Sequence, residues 1–69
     1  MFTINNITWD IVSVPYNSPF LIMPNGGLSY GMCDSYSKTI YLSDELYGEF
    51  LRKVLCHEIT HAAMFSYDV

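Results

Sequence analysis

The stretch His57-Glu58-Ile59-Thr60-His61 carries two imidazoles four residues apart, with a carboxylate beside the first. This spacing makes chemical sense in one kind of element. On an α-helix, residues i and i+4 share a face, one turn and ~6 Å apart. At that distance two rings can converge on one tetrahedral zinc ion. Glu58 is one residue round from the first ring, so it lies beside the metal position rather than on it. That is where a general base for a water belongs. His57 and His61 are therefore the metal-ligand candidates, Zn2+ the expected cofactor, and Glu58 the candidate catalytic residue. They use both histidines of the chain, so no further imidazole is left as a ligand.

Working back from this motif, Ser43-Asp44-Glu45 reads as a helix start. Ser43 suits the N-cap, and two acids in the first turn suit the helix dipole. The pattern predicts one helix from Asp44 to about Phe65, with Glu49 and Lys53 as an i,i+4 ion pair. At about 100° per residue, Phe50, Val54, His57 and His61 form one stripe. Leu51, Leu55, Glu58, Ile59 and Ala62 continue round as an apolar sector, and Glu49, Lys53 and Thr60 form the polar side. The histidines then sit at the border of the core, with Glu58 on the core side. A carboxylate among Leu55, Ile59 and Ala62 is costly unless it has a partner or a task.

The upstream half reads as sheet. Ile7-Thr8-Trp9-Asp10-Ile11-Val12-Ser13-Val14 is β-branched and partly alternating, which predicts a strand with Trp9 in the core. Pro15 to Gly27 holds all three prolines and an Asn-Gly turn signal, so it is a loop. Its patch Phe20-Leu21-Ile22-Met23 either covers the sheet or walls a cleft. Leu28–Asp34 and Lys38–Ser43 read as two strands of a hairpin closed by Asp34-Ser35-Tyr36-Ser37. The expected fold is α+β: a small, about three-stranded antiparallel sheet followed by one long C-terminal helix, in a single domain over residues 1–69.

Composition narrows the function classes. A net charge of −4 with three basic residues argues against nucleic acid and against an anionic membrane surface. No stretch has the length of a membrane span. With 51% apolar and 16% aromatic residues the chain should fold rather than stay disordered. Met1 to Asn6 has no basic n-region and no long apolar run, so no secretion signal is expected, and the protein reads as cytoplasmic. Cys33 and Cys56 then read as reduced thiols, with zinc ligation as the functional alternative. A chain this short often leans on a metal or a partner, which is compatible with self-association.

A catalytic zinc normally has three protein ligands. The longer pattern H-E-x-x-H-x-x-G-x-x-H fails, because Met64 and Tyr67 stand at its Gly and third-His positions. Asp68 is the one carboxylate side chain after His61. Asp10, Asp34, Asp44, a group from another chain, solvent, or a later helix of a longer parent are the alternatives.

Ser29-Tyr30-Gly31-Met32-Cys33-Asp34, Lys38-Thr39-Ile40-Tyr41-Leu42 and Leu55-Cys56-His57-Glu58-Ile59-Thr60-His61-Ala62 resemble small phage and prophage proteins of the ImmA/IrrE-like zincin group. The resemblance covers roughly residues 28–65, and H-E-x-x-H is its specific part. It implies a short curled antiparallel sheet before the motif helix, His57 and His61 as zinc ligands, and Glu58 as base. In that group a second helix supplies a carboxylate as third ligand; no such segment follows here. The group cleaves or binds regulatory proteins, often repressors, so a protein or peptide is the implied partner.

Two functions follow as expectations. One is a zinc metallopeptidase, with Glu58 carrying the proton, Tyr67 or Tyr36 steadying the oxyanion, and substrate adding to an edge near Lys38–Leu42. The other is an inactive zincin-like phage protein that binds or inhibits a host regulatory protein.

Overall fold

The computed structural model describes residues 1–23 and 25–67. Strand β1 is Phe2–Ile4, β2 Ile7–Val14, β3 Gly31–Asp34 and β4 Thr39–Ser43; helix α1 runs Gly48–Tyr67. The architecture is α+β, as expected, but the sheet differs from a three-stranded antiparallel one. It has four strands in the order β1-β2-β4-β3. β1 pairs antiparallel with β2, β3 antiparallel with β4, and β2 runs parallel to β4 with Asp10 opposite Thr39 and Val14 opposite Ser43.

The extra strand follows from Asn5-Asn6. Both adopt left-handed backbone, φ 50° and 67°. Asparagine tolerates that region, and two such residues in succession make the tight hairpin turn that joins right-twisted strands. Ile4 and Ile7 are thereby opposed, and the chain doubles back as β1–β2. The Asp34–Ser37 turn is as expected. Asp34 Oδ1 accepts from the Tyr36 amide at 2.9 Å, and its Oδ2 from the Ser37 hydroxyl at 3.0 Å. Lys38, at φ 56°, completes the reversal and lays its ammonium 5.9 Å from the centre of the Trp9 ring.

β4 is central because every residue of Thr-Ile-Tyr-Leu-Ser is buried or half-buried, as a strand covered on both faces must be. Ile40 and Leu42 join Trp9, Leu46 and Ala62 in the core, with Leu51, Val54, Leu55 and Ile59 packed against it from the helix. On the opposite face Phe20 stacks on Tyr41, centroids 4.5 Å apart, and Leu21 is fully buried in a 3-10 turn, Pro19–Leu21. Phe20 and Leu21 of the apolar patch thus cover the sheet.

The helix starts later than Asp44. Ser43 does accept from the Glu45 amide, at 3.2 Å, but this closes a turn rather than capping a helix. That turn tucks Leu46 into the core, and Gly48 then sits at φ 61°, through which no continuous right-handed helix passes. Glu49 pairs with Arg52 at 3.5 Å, not with Lys53; both side chains are largely exposed, so the pair adds little. Among the described residues no helix is long and apolar enough to cross a membrane.

The helix end is tied to the sheet by polar contacts. Trp9 Nε1 donates to Ser66 Oγ at 2.8 Å in a buried setting, and Asn5 Nδ2 donates to the Ser66 carbonyl at 2.9 Å. Ser66→Ala leaves the buried indole N–H unpaired, which should lower stability by about 1–3 kcal/mol. Chemical denaturation read by tryptophan fluorescence measures it; an unchanged midpoint would show that the bond contributes nothing net.

Candidate metal centre

Helix α1 presents the motif as the spacing requires. Nε2 of His57 and Nε2 of His61 lie 3.1 Å apart, with the rings edge to face at 4.7 Å. Two nitrogens bound to one tetrahedral zinc at ~2.05 Å stand about 3.3 Å apart. The pair is therefore spaced as a chelate, within a few tenths of an ångström. The same distance is that of a hydrogen bond between the two rings, its direction set by the tautomer. His57 is exposed and His61 half-buried, so the open side of the chelate faces outward.

Glu58 lies on the inner side of this face and is 8% exposed. It is held there by a gap in the neighbouring strand. A Cβ on Gly31 would stand 2.9 Å from Val54 Cγ1, 3.1 Å from Glu58 Cγ and 3.3 Å from Glu58 Oε2. The absence of that carbon leaves room for Val54 and Glu58 of α1 against β3. Ser29 fixes the approach, its hydroxyl donating to the Gly31 carbonyl at 2.6 Å.

Two open grooves meet at Glu58. One is lined by Ser29, Tyr30, Gly31, Lys53, Val54 and His57. The other is lined by Met23, Met32, Cys33, His61 and Phe65 together with Ser29 and Gly31. Met23, the end of the apolar patch, thus walls the groove while Phe20 and Leu21 cover the sheet. The Cys33 thiol is pushed up to about 11, chiefly by burial, then by the charges of Glu58 and Asp34, with Lys38 opposing. It stays protonated at neutral pH. Cys33 and Cys56 are both free.

The other expectations fare less well. Among the described residues no third His, Cys, Asp or Glu joins the two histidines. Asp34 is engaged in its turn, where the Ser37 hydroxyl and the Tyr36 amide hold its carboxyl below the usual range. Asp10 is exposed on β2, and Asp44 is exposed just past β4. Asp68 lies outside the described residues. Tyr36 is 97% exposed on the β3–β4 turn and lines neither groove. Tyr67 lines a hollow with His61, Met64 and Phe65. Tyr30 is the tyrosine beside both His57 and Glu58, edge-on to Phe50 at 4.8 Å. Six tyrosines with no distinguishing neighbours hid it in the sequence. The substrate edge also moves: β4 is paired on both sides, so the outer strand beside the motif is β3.

Comparisons with family models, with curated proteins and with solved structures returned no match. The reading of the centre therefore stands on its geometry.

Gly31→Ala tests that geometry. Alanine in a strand is ordinarily better than glycine by about 0.5–1 kcal/mol. Here the added carbon must push Val54 and Glu58 away, and overpacking should reverse the sign, to a loss of about 1–3 kcal/mol. A denaturation midpoint at or above that of the parent would show that the helix can back off freely.

Proposed function

We propose that the chain is a zinc-binding module of the metallopeptidase type, acting on a protein or peptide. The observation that carries this is the His57–His61 nitrogen spacing of 3.1 Å with Glu58 buried alongside. His57 and His61 would hold the ion, which supplies carbonyl polarisation and a more acidic water when bound. The remaining work falls to the chain. Glu58, backed by Gly31, takes a proton onto its carboxylate and passes it to the leaving amine. Tyr30, which lines the same groove as His57, would be the donor to a developing oxyanion. β3 is an outer strand; the Gly31 amide and carbonyl are taken by the Ser29 hydroxyl, and the edge beyond Gly31 suits an extended peptide laid across the grooves. The resemblance to phage and prophage zincins points to a regulatory protein as target, and the sequence reading without a secretion signal to a cytoplasmic setting.

A second reading is a zincin-like module that grips a host regulatory protein without turnover. It is favoured by the lack, among the described residues, of a third ligand beside the pair. In that case the ion is structural, and Glu58 is inherited rather than used.

Glu58→Gln separates the two. As a peptidase the variant should keep its zinc, because Glu58 is not a ligand, and lose cleavage roughly 10²–10⁴-fold. As a binder it should keep both zinc and partner affinity. His57→Ala should abolish zinc uptake in either case. It should also erase the stabilisation by zinc, about 2.7 kcal/mol at a hundredfold excess over Kd. Parent and His57→Ala melting alike with and without zinc would make the two histidines ordinary side chains.

A further inference from the structure

We propose that a second copy of this chain completes the zinc site, one ion being shared by the His57–His61 pairs of two chains. This rests on the zinc reading above and names what covers that site. Coordination gives the first argument. A closed zinc shell has four ligands. The described residues bring together two, spaced at 3.1 Å as one edge of a tetrahedron, and no further His, Cys, Asp or Glu joins them. A copy related by a two-fold axis through the ion presents the same edge from the other side. Two opposed edges make a tetrahedron, and a two-fold interface needs only one self-complementary patch.

The surface round the pair suits such a contact. Phe50, Met64 and Phe65 are 49%, 62% and 42% exposed on the same helix, with Met23 and Tyr30 across the grooves at 40% and 54%. The 7.9 kDa chain exposes 4856 Å². A monomer of that mass is expected to expose about 4,400 Å². The surplus is on the order of half of what one partner buries in a standard interface, ~800 Å². Charge then sets the condition for assembly. Each chain carries −4, so two copies repel at long range, and a shared Zn2+ offsets part of that charge at the contact.

The consequence is regulatory. Four imidazoles close the shell and leave no position for a water or a carbonyl oxygen, and Glu58 lies beneath the contact. The shared form is the resting one, and the single chain is the form open to a peptide.

Sedimentation velocity with metal analysis on the full chain, titrated with zinc chloride and then with EDTA, tests this. The expected result is one zinc per two chains, a species of twice the chain mass, and return to the single chain with EDTA. His57→Ala, whose parent side chain is exposed and carries no core packing, should remain single at every zinc level. One zinc per chain on a single-chain species overturns the sharing while leaving the zinc reading intact. No zinc uptake overturns both. A zinc-induced pair that persists in His57→Ala also overturns it, since the contact then does not run through the histidines.

Discussion

Helix α1 reaches the sheet at one place where a side chain is missing. Gly31 offers only backbone to Val54 and Glu58, and a single added carbon would stand within 2.9 Å of the one and 3.1 Å of the other. That contact fixes how the helix is turned. Once Val54 and Glu58 face β3, the helical repeat decides everything else: Leu55, Ile59 and Ala62 go to the core, and His57 and His61 come out on the rim. A buried carboxylate next to two accessible imidazoles is then a result of packing, and the chemistry inherits it.

The same contact explains the electrostatics. Burial, and with it the charge of Glu58 nearby, raises the Cys33 thiol further above neutral, to about 11. The outer end of the groove is different in character. Lys53 and the exposed ring of His57 face water, where charges are screened and exchange freely. One helix thus holds a mostly buried carboxylate beside two accessible imidazoles.

Much of this was legible in the sequence because it rests on short-range rules. The helix, the inward side of Glu58, the Asp34–Ser37 turn and the burial of Trp9 all follow from periodicity and turn chemistry. What escaped depends on distant partners. The Asn5-Asn6 turn was readable in principle, but a three-residue β1 gives almost no periodic signal. Nothing local in Thr39–Ser43 tells which strand lies on its far side, so the parallel pairing with β2, and the shift of the free edge to β3, could not be read. The helix start was misplaced because Ser43-Asp44-Glu45 is a sound capping sequence. The demand of Leu46 for burial and the left-handed Gly48 outweighed it. Tyr30 entered the site through the same tertiary contact that placed Gly31.

The bonds from Trp9 and Asn5 to Ser66 span 57 and 61 positions of a 69-residue chain. They fasten the first hairpin to the last turn of the helix, so nearly the whole polypeptide is one closed loop. Drawing its ends together costs on the order of 3–4 kcal/mol of chain entropy, which is recovered only when the intervening segments are already in place. Contacts this distant in sequence are slow to form. Detachment of either the hairpin or the helix terminus therefore breaks both bonds. In hydrogen exchange the amides of β1 and of the final helical turn should report one shared opening event, and two separate rates would show that the loop is not cooperative.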